Sequence, residues 1–226
     1  MTIRPLSDNS LQRDALAIEY FSLLAERDPI QAVTVWAAEF ETARIALNLT
    51  YCQQLLRESR RWTRATPDIR AQSYDSEGLL AQSLTAWERA IRCHQRALQL
   101  FQQVGNRHGT AHALNNLSLA FLEQSRFQEA VEYGEASLTL SRELRSDKDI
   151  GRAAGNLAIA HRHLGRLDQA LAFTEEALAC FRRVGDQRQI GRTLTNLGNL
   201  YRRRGEPERA VPCFQEDLAI CEAQAD

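Results

Sequence analysis

The chain has 226 residues, enough for one elongated domain or two small compact ones, and its 28 Lys and Arg nearly balance its 29 Asp and Glu. That balance excludes a global field drawing the molecule onto nucleic acid or an acidic membrane, so any electrostatic recognition must be local. Five scattered cysteines (Cys52, Cys93, Cys180, Cys213 and Cys221) form no CxxC pair, which argues against a disulfide framework or a zinc site and predicts reduced, mostly buried thiols.

The first residues, MTIRPLSDNSLQRD, contain no apolar run of the kind a signal sequence needs, and no stretch approaches the ~18 apolar residues of a membrane span. A soluble cytoplasmic protein is the expectation. Only five prolines and eleven glycines interrupt a chain rich in Ala, Leu, Gln, Glu and Arg, which predicts an all-α fold. In chain order, LQRDALAIEYFSLLAER places Leu11, Ala15, Ile18 (or Ala17), Phe21 (or Tyr20) and Leu24 on one helical stripe. Asp28-Pro29 then supplies an N-cap and a first helical residue for a second helix, whose apolar face is Val33, Trp36, Phe40, Ala43, Leu47 and Tyr51. The run RESRRWTR (57–64) mixes arginines with Trp62, a composition that can grip a phosphate backbone; it reads more simply as a solvated helix end.

From about residue 66 the sequence matches itself at a shift of 40 without a gap. Asn116-Leu117, Asn156-Leu157 and Asn196-Leu197 align, as do Ser118, Ala158 and Gly198; Ala90, Ala130, Ala170 and Ala210; and Leu98, Leu138, Leu178 and Leu218. Such self-similarity marks a stack of repeats. The punctuation repeats too: Thr66, Asn106, Ser146 and Asp186 are all good N-caps, Pro67 suits the first helical position, and Gly105 and Gly185 precede two of the caps as left-handed helix ends. A second break falls at Thr85, Ser125, Gly165 and Gly205, so each unit is two helices joined by short turns. The small residue of the first helix and the Ala of the second allow two helices to cross closely. Pro212, inside the last helix, predicts a kink or a late start there.

The pattern N-L-x-x-x-Y-x-x-x-G-x-x-x-x-A, best kept as Asn196, Leu197, Tyr201, Gly205 and Ala210, resembles the tetratricopeptide repeat in its long form of about forty residues. Three units match clearly (about 106–145, 146–184 and 185–226) and a weaker one covers 66–105, where Glu77 stands in place of Leu but Gly78, Ala90, Ala97 and Leu98 fit. The resemblance implies a right-handed superhelix of antiparallel helix pairs over 66–226, with residues 1–65 as a helical cap on its open end. AIEYFSLLAER followed by WAAEFETARIAL is similar to the helices leading into the repeat sensor region of bacterial STAND-type ATPase regulators: Glu39, Glu41, Arg44, Ala46 and Leu47 match, while Thr42 replaces an Asn. No P-loop GxxxxGK[ST] is present, so that likeness implies a sensor arm standing alone.

In such repeats the first helix of each pair lines a concave surface. Four residues before each landmark Asn stand His112, Arg152 and Arg192, on the same face as Asn116, Asn156 and Asn196. Leu119, Ile159 and Asn199 follow a turn later, then Glu123, His163 and Arg203. Amides can hydrogen-bond the backbone of an extended peptide and guanidinium groups can fork onto its carboxylates. The rows are similar to those of Pins/LGN-type and carboxylate-clamp repeat adaptors, which implies a groove for an acidic segment of a partner protein, formed by His112, Asn116, Arg152, Asn156, Arg192, Asn196, Asn199 and Arg203. The competing reading is that the amides serve the fold and the arginines a solvated face.

Catalysis is not expected: no Ser/His/Asp or Cys/His signature, paired carboxylates or phosphate loop is visible. No cofactor is implied. His161 and His163 lie two apart and face different ways, and His108 and His112, four apart, lack a third ligand. The nearest enzymatic likeness is a Rap-type regulator, for which the N-terminal segment is short. The alternative to an adaptor is a sensor or regulatory subunit controlling a separate effector. Leu218, Ile220 and Cys221, on the last hairpin, predict an uncovered face and a homodimer through it.

Overall fold

The computed structural model describes residues 8–62 and 67–225, and these form helices joined by tight turns, with no strand among the described residues. In order they are α1 (Asp8–Arg27), α2 (Pro29–Ile45), α3 (Leu49–Trp62), α4 (Pro67–Ser83), α5 (Trp87–Gln103), α6 (Arg107–Glu123), α7 (Phe127–Glu143), α8 (Asp147–His163), α9 (Leu167–Val184), α10 (Gln187–Arg204) and α11 (Pro207–Ala225). The fold is all-α, built of consecutive antiparallel helix pairs.

The turns explain the regularity. From α4 to α10 a left-handed residue closes each helix at Thr85, Gly105, Ser125, Arg145, Gly165, Gly185 and Gly205, one every twenty residues. At Gly105 (φ +70°) the Asn106 amide donates to the Phe101 carbonyl at 2.9 Å and the Gly105 amide to Gln102 at 3.2 Å. This pair of bonds satisfies carbonyls that a helix end would otherwise strand. Arg145 holds the place of Gly105 and Gly185 at φ +55°, a conformation that costs an L-residue about 1 kcal/mol or more. On the far side of each long turn the expected caps form: Asn106 accepts from the Gly109 amide (2.8 Å), Ser146 from Asp149 (3.4 Å) and Asp186 from Gln189 (3.1 Å). Thr66 lies outside the described residues.

The chain divides into two compact units, Met1–Gly109 and Thr110–Asp226. In the first, α1 to α4 share a core in which Trp36 stacks on Phe40 (centroids 5.4 Å apart) and donates its indole N–H to the Leu55 carbonyl at 3.0 Å. Phe21, not Tyr20, faces this core. The expected second helix is in fact two. The first ends at Ile45; Leu47, in the turn that follows, adopts φ +57° and is 73% exposed, and Asn48 starts α3 by accepting from the Tyr51 amide at 3.2 Å. The side chains of Leu11, Val33 and Arg60 through Arg64 lie outside the described set, while Arg57 is exposed.

Helix pairs cross closely because size alternates across the crossing. Gly78 receives the His94 ring, where a Cβ would come within 2.4 Å, and Gly198 receives Phe214, within 2.7 Å. At the equivalent crossing of α6 and α7 the order reverses: Ser118 donates to the Ala130 carbonyl at 2.7 Å and its partner is Gly134. The repeated alanines Ala90, Ala130, Ala170 and Ala210 are all buried. In the weak first unit, Glu77 is held by Arg89 at 2.6 Å, so the departure from Leu is met by an ion pair. The late start expected at Pro212 does not occur, since α11 begins at Pro207 and runs through it. Pro212 falls in the second turn, and the carbonyl it strands belongs to Glu208, an exposed residue.

Candidate functional site

Helices α6, α8 and α10 are the first arms of the three clear repeats, and a hollow of about 180 Å³ opens among them. On α8 and α10 the four-residue spacing brings Arg152 with Asn156, and Arg192 with Asn196, to its wall. Gly155 contributes an open stretch of floor, since a Cβ there would meet nothing within 4 Å.

The third row differs from the expectation. Asn116 is buried, and its amide lies 3.3 Å from His112 Nδ1, so neither residue lines the hollow. The neighbouring Asn115 does, and Asn156 Nδ2 donates to its Oδ1 at 3.0 Å. Part of the amide ladder therefore ties α8 to α6, as the purely structural reading of these residues requires. Asn199 and Arg203 lie further along α10, half-buried and exposed, and outside the lining. Beside Arg203, His163 stacks on Phe127 with centroids 4.5 Å apart; burial first, then the charges of Arg162 and Arg203, hold its pKa below the usual histidine value.

What remains at the hollow is an excess of donors. Two arginines line it and no Asp or Glu does. Among the described residues neither Arg152 nor Arg192 has a carboxylate partner, whereas Arg142, Arg182 and Arg183 pair with Glu176, Glu216 and Asp147 at 2.7, 2.7 and 2.5 Å. Asn196 likewise has no protein partner, and Asn115 keeps its amide nitrogen. Such a surface suits an acceptor-rich guest of carbonyl and carboxylate oxygens. The first unit holds a larger hollow, about 290 Å³, but its charges largely cancel because Glu77 and Arg89 neutralise each other, leaving Arg57. Among the described residues no three His, Cys, Asp or Glu side chains converge on a metal-sized site, and no helix is long and apolar enough to cross a membrane.

A family profile described as Tetratricopeptide repeat matches residues 70–143 and 149–223. No curated protein matches the sequence. The fold is similar to that of BtubC (BKLC) from P. vanneervenii, at 20% identity and a TM-score of 0.81 over 96% of this chain and 92% of that one. It is also similar to a Rap protein complexed with competence and sporulation factor, at 12% identity and a TM-score of 0.75 over 98% of this chain and 68% of that one. A STAND protein with a tetratricopeptide repeat sensor, PH0952 from Pyrococcus horikoshii, matches at 12% identity and a TM-score of 0.72 over 88% of this chain but only 31% of its own length.

Proposed function

The chain belongs to the tetratricopeptide repeat family, whose repeats act as non-catalytic interaction modules, and from that premise we propose that the hollow of α6, α8 and α10 holds an extended, acidic segment of a partner protein. The observation that carries this reading is the pair of arginines without carboxylate partners on a wall that contains no acid. Arg152 and Arg192 take the guest's carboxylates; Asn196 and the free amide nitrogen of Asn115 take its backbone carbonyls. Asn156 positions Asn115 and keeps its own carbonyl oxygen for a backbone N–H. Residues 1–65 act as the helical cap of an array that occupies 66–226. The encounter takes place in a reducing compartment, the cytoplasm, in keeping with five unpaired cysteines.

The regulatory alternative has support of its own. One structural neighbour is a Rap conjugation gene regulator in complex with the Phr* peptide and another is a STAND protein with a tetratricopeptide repeat sensor, so occupancy of the hollow here serves equally as a signal to a separate effector. Both readings share the same first step, peptide capture.

Selection from a displayed random peptide library tests that step. Acid-rich peptides should be enriched, and Arg152→Glu/Arg192→Glu should weaken the best of them by at least about a hundredfold, since two charge-assisted contacts at about 1.5 kcal/mol each are lost. Enrichment of sequences without acids, or equal affinity for the variant, overturns the assignment.

A further inference from the structure

The two most exposed apolar stripes of the chain lie on α1 and α11. On α1, Leu16, Tyr20 and Leu23 are each more than half exposed. On α11, Val211 and Leu218 are 52% and 59% exposed, whereas the equivalent Leu171 and Leu178 of α9, one repeat earlier, are 4% and 6% exposed. The α11 stripe therefore keeps the apolar chemistry that α7, with Val131 and Leu138, and α9 bury against the helices that follow them, α8 and α10.

The flanks of the stripes decide what covers them. With spacings of 3, 4, 3 and 4, α1 presents Arg13, Leu16, Tyr20, Leu23 and Arg27, while α11 presents Glu208, Val211, Gln215, Leu218 and Glu222 in the same spacing. This is the seam of a two-helix pairing. Both arginines are exposed, Arg13 to 74% although one of its nitrogens lies 3.4 Å from Asp14, and both glutamates are exposed. The α1 seam thus ends in a base at each side and the α11 seam in an acid at each side. Glu222 also stands where Arg142 and Arg182 stand in earlier repeats, each of those reaching a Glu of the following helix pair, so the charge demanded of the covering helix is reversed in the last repeat. Glu19 and Glu26 border the α1 seam, and the residues bordering the α11 seam, Pro212, Phe214, Ala219 and Cys221, bring no charge against them.

We propose that α1 of one copy docks on α11 of a second copy. A pairing of α11 with itself would set Glu208 and Glu222 against their own kind, and α1 with itself would do the same with arginine; only the unlike pairing joins each base to an acid. Such a contact is heterologous, so every copy offers one donor face and one acceptor face. The seam is one helix wide, which makes the association weak and concentration-dependent. It is independent of the hollow, none of whose residues it uses.

Sedimentation of the full chain over a concentration series provides the test, with unchanged helicity by circular dichroism as the check on every variant. The weight-average mass of the wild type should climb above the chain mass of 25.6 kDa. Leu16→Gln/Leu23→Gln and Val211→Gln/Leu218→Gln should each stay at the chain mass alone, yet form a one-to-one dimer when mixed, because the first keeps α11 and the second keeps α1. Arg13→Glu/Arg27→Glu and Glu208→Arg/Glu222→Arg should each weaken association about tenfold, and all four together should restore it. A wild type that stays at the chain mass throughout overturns the proposal and leaves the α11 face to a different protein. Self-association that survives Leu16→Gln/Leu23→Gln also overturns it and shows the isologous α11 dimer instead.

Discussion

His161→Phe should make the protein more stable, and more so at acid pH. His161 is 2% exposed on α8, stacked on Phe173 with centroids 5.3 Å apart, and neither ring nitrogen has a hydrogen-bond partner. Two unsatisfied polar atoms in the interior cost on the order of 1 kcal/mol each. One repeat earlier the same position is Phe121, stacked on Tyr133 at 5.2 Å, so the site accepts a six-membered ring; one repeat later it is Tyr201. After allowing about 1 kcal/mol for the larger ring, a net gain of about 1 kcal/mol is expected at pH 7.5. Burial first, then the charge of Arg166, holds the folded pKa of His161 below its ordinary value. The unfolded chain therefore takes up a proton that the folded one refuses, and the histidine costs stability as pH falls below about 6.5, with a ceiling of about 1.4 kcal/mol per pH unit until the folded pKa is reached. Urea unfolding of both proteins at pH 7.5 and 5.5 measures the effect: the advantage of the variant should widen at the lower pH. A variant less stable than wild type at pH 7.5, or an advantage that does not change with pH, would refute the reasoning.

Other perturbations follow from the crossings and the thiols. Gly198→Ala should cost about 2 kcal/mol in thermal or urea unfolding, because its Cβ would lie 2.7 Å from the Phe214 ring. Gly155→Ala, also mid-helix but with open space around its Cβ, should instead gain about 0.5–1 kcal/mol, and equal effects of the two would show that crowding at the crossing is not what selects Gly198. Burial pushes the Cys52 and Cys93 thiols up to about 11 and raises those of Cys180 and Cys213, while Cys221 is exposed. Alkylation of the native protein at pH 8 should accordingly give one adduct by mass spectrometry, on Cys221, and five in urea; several rapid native adducts would contradict the burial.

The repeats were legible because punctuation and core agree at one period: the caps at Asn106, Ser146 and Asp186 and the buried alanines return every 40 residues, and a mistake in one unit is corrected by the next. Where the period is missing, so is the correction. Ala43, Leu47 and Tyr51 stand four apart and read as one helical face, yet the chain turns at Leu47, a residue that costs energy in the left-handed region and carries no turn signal of its own. The usable signal was Asn48, a cap hidden inside an apolar run. The hollow was legible on α8 and α10 for a geometric reason, since Arg and Asn four apart must share a face whatever the packing. On α6 the same arithmetic selected Asn116, whereas the residue that lines the hollow is Asn115, one position and 100° around the helix, the equivalent of Gly155 on α8. Two asparagines in succession, Asn115 and Asn116, left the choice to packing, and His112, in the place of the arginines, supplies the ring against which Asn116 turns inward. Spacing thus gives which residues travel together, while the facing of a helix is a property of its neighbours. A groove assembled from three helices is therefore legible from sequence only as far as each helix repeats the residues of the last.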